Sequence, residues 1–250
     1  MNLTSILKTN LNWNAARISF LANIITALLK TRTVCLTEIA TALSGKAKTE
    51  SKYKRLQRFF GSFSMDMDSI SRMVANILPI SNEKWVLSVD RTNWKLGKAN
   101  INILCLGICY MGICFPIIWI SLDKRGNSNT RERISLMERF IKIFGIAKIK
   151  CLTADREFIG FEWFSYLLEK GISFRIRIKE NFQIISSKGN QVAIKLLFRN
   201  LKIGQIRVLS RPREICGVKV FIIGQKLPNG EYLILGNRSL PPLCFDSQNS

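Results

Sequence analysis

Two aspartates stand out by what precedes them. Trp85-Val-Leu-Ser-Val runs apolar into Asp90 and then into the polar Arg91-Thr-Asn. Cys151-Leu-Thr-Ala runs in the same way into Asp155, Arg156 and Glu157. Each pattern predicts a short strand, over 85–90 and 149–154, that delivers a carboxylate at its C-terminal end. Two such carboxylates side by side can bridge a hard divalent cation, Mg2+ or Mn2+, which prefers oxygen ligands and keeps room for water and phosphate oxygens. Metal-assisted phosphoryl transfer is the chemistry open to that pair. A single aspartate after a strand often does no more than cap a turn; the repetition of the pattern makes these two a candidate catalytic and metal-binding pair.

The composition narrows the chemistry further. The 250 residues contain no histidine, which excludes imidazole general bases, Ser-His and Cys-His nucleophile systems and histidine metal ligands. Cys35, Cys105, Cys109, Cys114, Cys151, Cys216 and Cys244 include no Cys-x-x-Cys pair, and most lie in apolar runs. They read as buried reduced thiols of a cytosolic protein rather than as a zinc site or a disulfide framework. The net charge is +21, from 38 Lys and Arg against 17 Asp and Glu. That excess calls for a polyanionic partner, for which double-stranded DNA is the first expectation. No secretory signal pattern opens the sequence, so a cytoplasmic, nucleoid-associated protein is expected.

The elements that would position the pair follow from periodicity. Helices are predicted over 11–30, 36–43, 50–60 and 69–78. The short helix, the Ser44-Gly45 break and the basic helix after it resemble a helix-turn-helix module. Lys46, Lys48, Lys52, Lys54, Arg55 and Arg58 are its candidate DNA contacts, with phosphates rather than base edges as their targets. The domain boundary is placed near Ser81-Asn82. Residues 101–122 carry no charge and are long enough to span a membrane. Gly107, Gly112 and Pro116 interrupt the run, and Tyr110-Met-Gly112 makes a plausible turn. Two buried antiparallel strands, near 101–109 and 113–121, are therefore expected, and no membrane partner.

A helix over 130–144 should open on an Asn129–Glu132 capping box and bury Ile134, Met137, Ile141 and Phe144. A further helix over 160–170 should bury Phe161, Phe164, Leu167 and Leu168. Residues 172–178 alternate apolar and basic, the pattern of an edge or half-exposed strand with Arg175 and Arg177 on a cationic face. Lys179 continues that basic face. Short segments near 182–186, 191–198, 203–210, 218–225 and 231–236 then read as an antiparallel β subdomain. The last twelve residues, without periodicity, are expected to be disordered.

Three strands, a helix, a strand, a helix and a strand match the order of a ribonuclease H-like α/β core, in which the first and fourth strands are neighbours. The expected organisation is a helical DNA-binding region over 1–81, the core over 82–180, a β-rich insertion over 181–238 and a tail over 239–250. Several motifs, in order, resemble bacterial DDE transposases of the insertion-sequence-four family. They are Ser51-Lys-Tyr-Lys-Arg-Leu-Gln-Arg-Phe-Phe60, Leu-Ser-Val-Asp90-Arg-Thr-Asn-Trp94, Gly126-Asn-Ser-Asn-Thr-Arg-Glu-Arg133, Leu-Thr-Ala-Asp155-Arg-Glu-Phe-Ile-Gly160 and Phe174-Arg-Ile-Arg-Ile-Lys179. The resemblance spans about residues 15–238 and implies metal-dependent DNA cleavage and strand transfer at element ends. Its partners would be the element's terminal repeats and target DNA, and a homo-oligomer is compatible with it. Asp90 and Asp155 match the family's first and second catalytic aspartates. Glu157 matches no metal ligand and is expected to orient the loop or pair with a neighbouring base. The family's third carboxylate, in a Tyr-x-x-Arg-x-x-x-Glu-x-x-x-x-x-x-Lys pattern, has no counterpart here. The expectation is a C-terminally truncated transposase impaired by itself, with a non-catalytic DNA-binding remnant or regulator as the alternative.

Overall fold

The structure, a computed structural model, describes residues 2–80, 83–97, 99–186 and 189–238, with only the backbone of Leu96. The tail predicted to be disordered, 239–250, lies outside the described residues. The chain divides into two units, residues 1–81 and 82–250.

The first unit is helical: α1 (Leu3–Asn10), α2 (Ala15–Thr31), α3 (Leu36–Ala42), α4 (Thr49–Ser62) and α5 (Met67–Ile77). The helix that periodicity predicts over 11–30 is α2, which starts later, at Ala15, and a further helix, α1, precedes it. Asn2 and Asn14 each turn a side-chain oxygen to the N–H three residues on, Ser5 and Arg17, at 2.9 Å, and so open separate helices. Phe20, Ile24 and Ala27 of α2 pack with Ile39, Ala40 and Leu43, and with Leu56 and Phe59 of α4. A second cluster joins Leu7 and Leu11 to Ile18 and Ala22, with Ile70 and Met73 of α5 against it. The turn from α3 to α4 passes through Gly45 at φ +102°, a backbone conformation open to glycine.

The second unit is built on one large mixed sheet. Its strands are β1 (Trp85–Leu96), β2 (Ala99–Tyr110), β3 (Ile113–Ser121), β4 (Ile149–Ala154), β5 (Phe174–Ile178), β8 (Ile206–Val208), β10 (Val218–Lys226) and β11 (Tyr232–Asn237), in the order β3-β2-β1-β4-β5-β11-β10-β8. The short β9 (Arg213–Ile215) pairs with β10 off this path, and β6 (Gln183–Ile185) and β7 (Gln191–Ala193) form a separate ribbon. β1, β2 and β3 are antiparallel neighbours, while β4 is parallel to both β1 and β5. That is the ribonuclease H-like arrangement. The uncharged stretch 101–122 lies mostly in the β2–β3 hairpin, whose turn residues Met111 and Gly112 both have positive φ, 48° and 76°, as a tight hairpin turn requires. Among the described residues no single helix is long and apolar enough to cross a membrane.

Helices α6 (Thr130–Phe144) and α7 (Phe161–Glu169) follow β3 and β4. The Asn129–Glu132 capping box is formed. The buried face of α6 differs from the predicted one: Arg133, Leu136, Met137 and Phe140 are buried, and Ile134, Ile141 and Phe144 flank them. The stripe is rotated because Arg133 satisfies its polar head on Ser128 and on the Glu157 carbonyl and can go under. In α7, Trp163 is fully buried and Phe161 is 58% exposed, against expectation.

Three further differences concern the sheet. β1 does not end at Asp90 but continues to Leu96, because β2 remains its antiparallel partner to the hairpin tip at Leu96 and Ala99. β5 is half-exposed as predicted but is not an edge: β4 flanks it on one side and β11 on the other. The antiparallel strands after residue 181 therefore extend the core sheet through β11. Within the same stretch, 194–198 is a 3-10 turn that buries Ile194 and Phe198 rather than a strand.

Candidate functional site

Parallel pairing of β1 and β4 sets the site. Leu87, Ser88 and Val89 pair with Leu152, Thr153 and Ala154, and the Thr153 hydroxyl donates to the Leu87 carbonyl at 3.0 Å. Asp90 and Asp155 are the next residue on each chain. The pairing stops there because the chain turns at Asp155, whose carbonyl accepts from the Phe158 N–H at 3.0 Å. Asp90 is thus the first residue of β1 without a parallel neighbour. Both carboxylates are exposed, on strands whose spacing is about 4.8 Å.

β5 brings cationic groups to the same end. Ala154 pairs with Ile176, so Arg177 stands one step on, beside Asp155, with Nη1 at 3.8 Å from Oδ1. Phe174, Ile176 and Ile178 are buried, while Arg175 is exposed. Lys179, also exposed, lines a small cavity of about 230 Å³ with Arg156 and Arg177.

Beneath the aspartates lies a polar network that only folding assembles. Arg91 grips Glu157 with two bonds, Nε to Oε1 at 3.0 Å and Nη2 to Oε2 at 3.2 Å. The same guanidinium reaches Asn102 and Asn127 at 3.4 and 3.2 Å. Asn102, fully buried in β2, donates to the carbonyls of Lys124 and Gly126 at 2.9 and 3.0 Å. Arg133 donates to the Ser128 hydroxyl and carbonyl and to the Glu157 carbonyl, with its head over the Phe158 ring. Burial pulls the Arg133 pKa below its ordinary value, against the opposing charges of Glu157 and Glu132. Residues 91 and 157, each adjacent to or near one aspartate in sequence, are therefore tied together. Arg91, Asn102, Asn127 and Arg133 were not singled out as site residues by sequence reasoning. Its position as the one amide in the uncharged run 101–122 was the available signal for Asn102.

As donors for a hard cation, the two exposed aspartates fit Mg2+ or Mn2+ in kind, since Mg2+ commonly takes one or two carboxylates and completes its shell with water and phosphate oxygens. Glu157 is not a free third ligand, being held at both oxygens by Arg91. Cys105, the cross-strand partner of Asp90, has its thiol pKa raised, first by burial and then by the Asp90 charge, so it stays protonated. Among the described residues no group of three or more His, Cys, Asp or Glu side chains could hold a metal.

The remaining candidates lie in the helical unit. Lys46, Lys48, Lys54, Arg55 and Arg58 are exposed along or before α4. Lys52 is half-buried, and its ammonium donates to the Leu43 carbonyl just past α3 at 2.6 Å. It fastens the α3–α4 turn.

No protein-family model matches the chain, and no curated protein sequence matches it. Solved structures with a similar fold include the piggyBac transposase synaptic complex with hairpin DNA, at 12% identity and a TM-score of 0.48, over 98% of this chain and 58% of that one. The catalytic domain of human endonuclease V is similar at 11% identity and a TM-score of 0.35, over 78% of this chain and 83% of that one. The simian T-cell lymphotropic virus intasome in complex with PP2A regulatory subunit B56 gamma is similar at 9% identity and a TM-score of 0.33, over 86% of this chain and 99% of that one. The chain spans less than two thirds of the length of that transposase chain.

Proposed function

We propose that this chain is a DNA-processing protein of the transposase kind, of the insertion-sequence-four type that its motifs resemble, with Asp90 and Asp155 as catalytic and metal-binding carboxylates. The observation that carries the reading is the β1–β4 register, which sets both aspartates next to each other past paired Val89 and Ala154. When bound, Mg2+ or Mn2+ would stabilise charge on a phosphate oxygen and lower the pKa of an attacking water. The chain's own residues hold the pair in place. Arg91 and Glu157 cross-link the two segments, and Arg177 balances the charge of Asp155. Lys46, Lys48, Lys54, Arg55, Arg58, Arg175 and Lys179 supply positive charge for double-stranded DNA, element ends and target alike.

The described residues offer two carboxylates where the resembled family uses three. The reading is therefore DNA binding with weak metal binding and impaired strand cleavage by this chain alone. The second reading, a DNA-binding protein without catalysis that acts on element ends as a regulator, is favoured by the engagement of Glu157 with Arg91. The test combines Mn2+ affinity, read from water proton relaxation, with cleavage of a labelled duplex carrying element ends. Asp90→Asn and Asp155→Asn should each weaken Mn2+ binding, and cleavage should stay at background. Mn2+ affinity unchanged from the parent in both variants removes the two-carboxylate site and leaves the second reading. Efficient 3′-end cleavage abolished by Asp90→Asn shows the chain to be a complete enzyme.

A further inference from the structure

The helical unit has a groove between α2 and α4, with a volume of about 450 Å³, into which three arginines and three phenylalanines converge: Arg17, Arg55, Arg58, Phe20, Phe59 and Phe63. No acidic residue lines it. The Arg55 guanidinium lies over the Phe20 ring at 4.0 Å, and that of Arg17 over the Phe63 ring at 4.3 Å. Among the described residues no carboxylate pairs with any of the three arginines. Arg58 makes one long bond, Nε to the Lys54 carbonyl at 3.4 Å.

Stacking occupies the flat face of a guanidinium and leaves the in-plane N–H groups free. Those donors form the fork that matches two phosphate oxygens. A ring beneath also limits where the head can go, so less freedom is lost when a ligand arrives. Three unneutralised cations in one concavity need an anion, and the groove is open along its side, which suits a continuous backbone. Lys46, Lys48 and Lys54, exposed candidates of the α3–α4 segment that do not line the groove, add long-range attraction for a polyanion.

We propose that this groove is a nucleic-acid phosphate site, in which Arg17 of α2 acts with Arg55 and Arg58 of α4 on the DNA backbone. The inference rests on the DNA-binding part of the proposed function and adds to it a residue, Arg17, from outside the helix-turn-helix segment. It also makes α2, and not α4 alone, part of the contact surface.

The test uses the full chain and fluorescence anisotropy on a labelled duplex across a range of salt concentrations. Arg17→Gln and Arg58→Gln should each weaken binding by about tenfold and reduce the slope of log affinity against log salt by about 0.9. Lys8→Gln, an exposed cation on α1 away from the groove, should change affinity by less than about twofold. Arg17→Lys, which keeps the charge but loses the fork, should fall between. Helical circular dichroism and melting must match the parent in every variant compared. If the parent binds with a steep salt dependence and Arg17→Gln behaves like Lys8→Gln, the groove is not the site, and the DNA-binding reading stands without it. If the parent binds no DNA at any salt, that reading falls first. Inorganic phosphate and ATP form the other arm. Binding of either that Arg17→Gln abolishes, with no change in DNA affinity, would identify a small-anion site and overturn the proposal.

Discussion

The arginines of the two units are used in opposite ways. In the sheet unit, Arg91 and Arg133 end among acceptors: a carboxylate, two amides, a hydroxyl and backbone carbonyls all within 3.4 Å. In the helical unit, Arg17 and Arg55 lie over phenylalanine rings, with no carboxylate among the described residues at their donors. The first kind stabilises the fold, because a guanidinium taken from water must find its hydrogen bonds inside. The second kind stays wet, contributes little to stability, and keeps its bonding capacity for a ligand. Burial and partner count separate the two roles where residue type does not.

Substitutions should reproduce that contrast. The largest effect is expected at Arg133. Arg133→Ala leaves the Ser128 and Glu157 carbonyls with fewer donors, and should lower unfolding stability by about 2–3 kcal/mol in urea denaturation. Next comes Arg91→Ala, which leaves Glu157, whose side chain is 23% exposed, without its partner. A loss of about 1–2 kcal/mol is expected. The double-mutant cycle with Glu157→Ala should return a coupling near 1 kcal/mol, and a coupling of zero would mean the pair holds nothing. Arg91→Ala should also weaken Mn2+ binding although only the backbone N–H of residue 91, which the substitution keeps, bonds the Asp90 carboxylate, at 2.7 Å, and Arg91→Lys should restore only part of both effects. At the other extreme, Arg17→Ala should change stability by about 0.5 kcal/mol or less, with its consequence confined to DNA binding. Lys52→Met, which removes the bond to the Leu43 carbonyl and keeps the aliphatic stem, should cost about 0.5–1 kcal/mol, read as a shift in melting temperature. A large stability loss from Arg17→Ala, or none from Arg133→Ala, would erase the distinction between the units.

Much of the positioning was legible because it is local. The Asn129–Glu132 cap, the Met111-Gly112 turn, the alternation of Phe174, Ile176 and Ile178 with Arg175 and Arg177, and the helices α3, α4 and α6 depend on neighbours within a few residues. Asn14 shows a limit of the same kind. The predicted helix begins at residue 11, but the Asn14 side chain caps the Arg17 N–H and opens the helix at Ala15, and hydrophobic spacing does not register that choice. The buried face of α6 missed for a different reason. The predicted stripe was built from apolar residues alone, whereas Ser128 and the Glu157 carbonyl, the latter brought near by the fold, let Arg133 be buried.

The sequence by itself determined the chemistry on offer: two carboxylates after apolar runs, no imidazole, a large excess of positive charge and an alternating cationic strand. Composition and short-range pattern carry that information, since each depends on a few adjacent side chains. Tertiary structure alone decided which groups meet. Residues 90 and 155, expected as neighbours from the order of elements alone, stand at the end of a parallel register, Arg177 reaches Asp155 through the next strand, and Glu157 is claimed by Arg91 of the adjoining strand. The same pairing carries β1 past Asp90 and places β5 inside the sheet rather than at its edge. Parallel pairing joins segments far apart in the chain, and no local preference of either segment specifies its partner. That is why the aspartates could be picked out one by one in the sequence, while the site they share exists only in the fold.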